Sequence, residues 1–221
     1  MYLPAHFAEQ RPLILQQLMA DHPLATVVTL TADGLSANHL PLLFSPAADP
    51  REQGGRTVLG VLRGHVARAN PFWTAALPGA DVLVIFQGPQ AYITPAWYPG
   101  KREHGRVVPT WNYAVVHARG ILQIHDDAAW THQLVSDLTN RHEANRDQPW
   151  AVTDAPAEYL ARMMNAIVGI EVVVTQLTGK WKTSGNQPTS HRQGVAQGLA
   201  VGPTDSHRAM GLLVAQHDLP G

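Results

Sequence analysis

Cysteine is absent from this 221-residue chain. That excludes disulfides, thiolate-built zinc sites and cysteine nucleophiles together. Charge is also sparse: charged residues make up 15% and the formal net charge is −1. DNA-gripping domains usually carry a strong basic excess, because phosphate contacts supply most of their non-specific affinity. No apolar run approaches the roughly 20 residues needed to span a bilayer. The N-terminal MYLPAHFAEQ lacks a basic start followed by an apolar core. No secretory signal is therefore expected, and a soluble, cytoplasmic protein is. G-x-G-x-x-G, P-loop and G-x-S-x-G patterns are missing. His142-Glu143 opens like a zincin helix, but Arg146 stands where the second histidine belongs. No metal site is expected.

What is present suits a globular domain. Hydrophobic residues reach 45%, enough for a sizeable core. RPLILQQLMAD (Arg11 to Asp21) reads as a short helix, with Pro12 in the first turn. Leu24 to Thr31 is β-branched and reads as a strand. Ala32-Asp33-Gly34 turns it back through Leu35 to Phe44. Ser45 to Gly55 reads as a polar loop and Arg56 to Arg63 as a strand. His65 to Leu77 reads as a helix broken near Pro71, and Asp81 to Gln87 as a central apolar strand. Gly88-Pro89 is expected to turn the chain into a further strand, Gln90 to Thr94. Pro99 to Val108 reads as a charged loop. Thr110 to His125 reads as one long strand bent at Gly120. A helix is expected from Asp126-Asp127 to about Arg146, with Trp130, Leu134, Val135 and Leu138 on its apolar face. A second covers Ala157 to Ala166. Ile167 to Leu177 reads as β-rich, His191 to Leu199 as a short helix, and the stretch after Gly202 as a weakly patterned, mobile tail. About seven strands with short early turns point to a small antiparallel barrel with peripheral helices.

Five segments could carry chemistry, and each has a plainer alternative. In LRGHVARANP (Leu62 to Pro71), a helix starting near His65 would offer free amides beside Arg63, His65 and Arg68, a phosphate cradle. The alternative is a solvated helix start whose arginines pair with nearby carboxylates. Asn38-His39-Leu40-Pro41 could donate to a ligand carbonyl, or be a bulge whose polar groups satisfy the backbone. Pro109 to Tyr113 (PTWNY), with Trp111 and Asn112, could meet a planar cofactor or a second subunit, or pack in the core. Gly179 to Ser184 (GKWKTS), with Lys180 and Lys182, could close over an anion or end a strand with solvated lysines. Lys101 to Arg106 (KREHGR) could touch a phosphate or a nucleic acid, or be a solvated loop.

Taken in order, MYLPAHF, HPLATVVT, ANHLPLLF, LRGHVARANP, FQGPQAYITPAWY, VVPTWNYAVVHARG, DLTNRHE, AIVGIEV and GKWK resemble the PaiB-type family, labelled FMN-binding negative transcriptional regulators. The resemblance spans about residues 1–200. It implies a mainly β fold, an FMN-binding split β-barrel with peripheral α: residues 1–200 with a helical insertion around 126–166, and a tail over 201–221. It implies FMN as cofactor and a homodimer holding it. Arg63, His65 and Arg68 would then meet the phosphate, and the ring would lie near Asn38, His39 and Leu40. Trp111, Asn112, Lys180 and Lys182 would close the site from the partner. DNA binding is implied by family association only, and the chain shows no helix-turn-helix. The alternatives on this fold are a flavin-dependent oxidoreductase of the pyridoxine-phosphate-oxidase or flavin-reductase kind, a haem-handling barrel, and an interaction module without cofactor.

Overall fold

The computed structural model describes residues 1–76, 79 and 81–216. Eight strands form one sheet in the order β3-β2-β6-β7-β8-β5-β4, with β1 beside β8. They are β1 (Ala8–Glu9), β2 (Leu24–Thr31), β3 (Gly34–Pro41), β4 (Leu43–Gln53), β5 (Arg56–Ala67), β6 (Asp81–Ile93), β7 (Thr110–His125) and β8 (Ile167–Lys182). The helices are α1 (Pro12–Asp21), α2 (Phe72–Ala75), α3 (Gly100–Glu103), α4 (Ala128–Glu143), α5 (Ala157–Asn165), α6 (Thr189–Ala200) and α7 (Asp205–Ala215). None of the described helices is long and apolar enough to cross a membrane.

Two compact units divide the chain. The larger comprises His22–Phe86 and His117–Leu177. Here β2 pairs with β3 and β6, and β5 pairs with β4 and β8, all antiparallel. Period-two alternation turns Val27, Leu62, Val84, Phe86, Ile170 and Val172 inward. On α4, Leu134 and Leu138 are buried four residues apart. Asp127 caps that helix, its side chain accepting from the Trp130 amide at 2.7 Å. The helix ends at Glu143, three residues short of the expected Arg146.

The smaller unit comprises Met1–Asp21, Gln87–Val116 and the chain from Thr178 onward. Ala91, Ile93, Tyr98, Val195, Leu199, Met210 and Val214 form its core. The described residues after Gly202 therefore do not trail away, and the rest of the expected tail, 217–221, lies outside the described residues. Thr204 caps α7 by accepting from the His207 amide, and the helix packs Met210 and Val214 against α6. The segment is too short for its apolar spacing to stand out, and tertiary burial decides it. Met210→Ala is expected to destabilise the protein by roughly 2–5 kcal/mol in urea unfolding, a loss that no surface tail would show.

Three other expectations change. Residues expected as the polar loop Ser45 to Gly55 form most of β4, the outer arm of a hairpin closed by Gly54 and Gly55 at φ 57° and 74°. Both central turn residues need the left-handed region, which glycine enters freely. Pro46 and Pro50 are tolerated because β4 ends the strand order and its pairing slips between Pro46 and Arg51. Gly88-Pro89 does not turn the chain, since β6 runs straight through. Pro89 lies beyond the Thr26-to-Val28 ladder of β2, and the Gln90 backbone is satisfied by the Ser206 hydroxyl on both its N–H and C=O. Inside the expected loop Pro99 to Val108, a short helix forms at Gly100–Glu103.

Candidate functional site

In the larger unit, β5 continues four residues past Arg63. No helix starts at His65. Arg63 pairs with Glu171, His65 with Gly169 and Ala67 with Ile167 along β8. The alternation of Val58, Leu62 and Val66 with half-exposed neighbours explains this, because an apolar period of two outweighs one glycine. Gly64 is present for space: a Cβ there would lie 2.6 Å from the Leu42 side chain and 2.9 Å from the Pro41 carbonyl. The first helical residue is Phe72, and α2 spans only four residues. The expected array of free helical amides beside His65 therefore does not exist.

Arg63 and His65 share one face of β5. The Arg63 guanidinium lies 3.0 Å from the Asp137 carboxylate of α4. Arg68 donates to both Asp126 oxygens, at 3.0 and 2.6 Å, and to the Asn165 and Ile167 carbonyls. This forked contact holds the Asp126 carboxyl below the usual carboxylate range. Both guanidiniums thus already have carboxylate partners. The His65 imidazole makes no side-chain hydrogen bond among the described residues, and burial pushes its pKa below the ordinary histidine value.

Asn38 and Leu40 lie on one face of β3 and His39 on the other, so the three side chains cannot meet one ligand face. Leu40 is in the core and His39 is exposed. Asn38 Oδ1 accepts from Asn70 Nδ2 at 2.9 Å, and Asn70 Oδ1 accepts from the Phe72 amide at 2.9 Å. Asn70 was not singled out from the sequence. Its signal was available, since an asparagine beside proline ahead of a helix start is a turn former.

In the smaller unit, β8 places two lysines two residues apart on one strand face. Lys180 is only 8% exposed. Its ammonium donates to the Tyr2 carbonyl at 3.0 Å and lies 5.7 and 5.4 Å from the Tyr2 and Tyr113 ring centroids. Lys182 donates to Thr110 Oγ1 at 2.5 Å and to the Trp111 carbonyl at 2.7 Å. Burial, opposed by Tyr113 and aided by Lys180, pushes the Lys182 ammonium below its usual pKa. Neither lysine has a carboxylate partner among the described residues. Asn112, buried, donates to Ser184 Oγ at 2.9 Å. Ser184, at φ 63°, is the one non-glycine with positive φ among the described residues. Such backbone persists only where surrounding contacts hold it. The Trp111 indole is half exposed and donates to Gln90 Oε1 at 3.0 Å, with the Tyr92 ring 6.2 Å away.

Residues 1–176 match the family described as "Putative FMN-binding domain". The chain belongs to this FMN-binding family. Among its relatives is an uncharacterised protein of Emericella nidulans, 32% identical over 98% of this chain and 97% of the relative. Another is the Bacillus subtilis "Protease synthase and sporulation protein PAI 2", 31% identical over 90% of this chain and 89% of that one. Of the solved structures, the FAD and heme binding protein from Mycobacterium smegmatis aligns with TM-score 0.54 at 16% identity, covering 79% of this chain and 73% of its own. The flavocytochrome Anf3 from Azotobacter vinelandii aligns with TM-score 0.53 at 13% identity, over 79% and 69%. These likenesses show the fold, a mainly antiparallel split barrel with flanking helices, and the family match gives its cofactor as FMN.

The residues of this FMN-binding chain fit that cofactor. FMN brings a phosphate and a planar ring. The smaller unit offers two ammonium groups without a counter-charge, one of them deeply buried, and an exposed indole face. The larger unit brings Arg63 and His65 onto one strand face and ties Asn38 to the turn that follows Arg68. It does not bring Asn38 and His39 to a common face. Tyr2 and Gln90, which support Lys180 and Trp111, went unnoticed in the sequence. Tyr2 lies 178 residues from Lys180, so no local pattern announces the contact.

Proposed function

We propose that this protein is an FMN-loaded regulator of the PaiB kind, in which Lys180 and Lys182 counter the charge of the flavin phosphate. One observation carries the reading: two neighbouring, partly desolvated ammonium groups with no carboxylate partner among the described residues. Burying cations without compensation is unfavourable, and a phosphate dianion supplies what is missing. Trp111 would offer its exposed face to the ring, while Asn112 and Ser184 hold the backbone that follows Lys182. Bound FMN supplies a redox-active isoalloxazine, and the chain's part is to bind and orient it.

In this reading Arg63 and Arg68 pin β5 and the following turn to carboxylates, and they reach a phosphate only by leaving them. Flavin-fluorescence titration tests the division. Lys182→Ala is expected to weaken FMN binding at least about tenfold. Arg68→Ala is expected to leave it within about threefold, inside the range of an exposed ion pair. The reverse order would move the phosphate to Arg68.

The same reading fixes a pH dependence. The folded pKa of Lys182 is depressed, so its charge is lost earlier than an ordinary lysine's as pH rises. FMN affinity is expected to fall on the alkaline side. Lys182→Arg is expected to move that fall to higher pH, since guanidinium stays charged.

The regulatory role rests on the near full-length similarity to the Bacillus PAI 2 protein. A salt-dependent mobility shift with promoter DNA tests it, and absence of any shift counts against direct DNA binding. We also propose a homodimer, which the neighbouring, half-exposed rings of Trp111 and Tyr92 in the smaller unit would serve. Light scattering at the mass of one chain would remove it.

A further inference from the structure

The larger unit holds a cavity of about 310 Å³ between β5 and α4. Pro41, Val135 and Leu138 form apolar walls, His65 and Trp150 present aromatic rings, and Thr139 adds a hydroxyl. The size is at the low end for small-molecule pockets, room for one or two fused rings and little more.

We propose that this cavity binds a small, uncharged heteroaromatic molecule that hydrogen-bonds to His65. The polar groups around it decide the charge of the ligand. Glu143 is already taken, its carboxylate accepting from Arg146 at 3.0 Å and from the Trp150 amide at 3.2 Å. Arg63, on the His65 face of β5, is held by Asp137. The Glu143 carboxylate and the Arg63 guanidinium thus already have partners, and His142, which also lines the cavity, is an exposed residue at its rim. The His65 side chain has no partner among the described residues, and burial favours its neutral form. A neutral imidazole both donates and accepts, which suits a ring nitrogen or ring N–H. A metal is disfavoured, because no group of three or more metal-ligating side chains occurs among the described residues. The cavity shares no residue with the proposed placement of FMN at Lys180 and Lys182, on which the proposal rests; on that placement its ligand is a second molecule, an effector or a substrate of the flavoprotein.

The test uses FMN-saturated protein and benzimidazole as the probe, with benzoate as an anionic ring of similar size. Histidine side-chain NMR is expected to show the His65 resonance shifting saturably with benzimidazole at roughly millimolar concentrations or below. Benzoate is expected to bind at least about tenfold more weakly. Leu138→Trp, which fills the cavity, is expected to weaken benzimidazole at least about tenfold while flavin absorbance is retained. If Leu138→Trp does not fold, the wild-type titration still decides. Failure of the His65 resonance to move, or equal binding of benzoate, overturns the proposal. Loss of FMN from Lys182 variants would bear on the flavin site alone.

Discussion

Replacing Lys180 and Lys182 together by methionine is expected to weaken FMN binding by about 100-fold or more while leaving the apo-protein at least as stable as wild type. A hydrogen bond to a charged group contributes about 1.5–3 kcal/mol, and two such contacts to one phosphate make about 3–6 kcal/mol. Each 1.4 kcal/mol is a factor of ten, so about 100-fold is the conservative end. The stability half of the expectation is the more discriminating. Ordinary buried charges are paired, and removing one partner destabilises. These two lysines face Tyr2, Tyr113, Thr110 and backbone carbonyls, with no carboxylate among the described residues. Methionine keeps the length and apolar body of the stem and removes the desolvated charges together with their hydrogen bonds to Tyr2, Thr110 and Trp111, so the expectation is that relief of the desolvation cost offsets the loss of those contacts. A fluorescence titration and a thermal melt on one preparation read both halves. A variant that loses FMN because it has unfolded would show a lowered melting temperature.

The second large effect is structural. Gly120→Ala is expected to destabilise the protein by about 3 kcal/mol, at the upper end for overpacking. A Cβ at Gly120 would lie 2.2 Å from the Val173 carbonyl oxygen, and backbone cannot yield as a side chain does. Neighbouring Val172 is held in the β5–β8 ladder against Leu62, so a shift of β8 would propagate to Arg63, which pairs with Glu171. Chemical denaturation checks the magnitude. A change near zero would mean that β7 and β8 approach less closely than described.

Much of this was legible in the sequence, for identifiable reasons. β-Branched composition placed β2 and alternation placed β7 at their observed bounds, and Asp127 announced the start of α4 through its capping chemistry. The errors came where a local breaker met a tertiary context that absorbed it. Gly64 looked like a release of the backbone and is a packing contact inside β5. Pro89 looked like a turn and stands beyond the rungs that β6 shares with β2. Met210 and Val214 were too few to mark a helix without the α6 surface that buries them. The candidate site divides in the same way. Lys180 and Lys182 could be named from their spacing around Trp181, but their lack of a counter-charge depends on which distant residues surround them. In sequence Arg63 and Arg68 could be phosphate donors or partners of nearby carboxylates, and the carboxylates that engage them, Asp137 and Asp126, lie more than fifty positions away, where no local pattern points to them.

The account turns on the phosphate. The most direct measurement is the ratio of FMN to riboflavin affinity, in wild type and in the Lys180→Met/Lys182→Met variant, by fluorescence titration at fixed salt. Riboflavin carries the same ring without the charge. Wild type is expected to prefer FMN by about 100-fold or more, and the variant to bind the two within about threefold of each other. A preference for FMN that survives loss of both lysines would place the phosphate elsewhere and contradict the account.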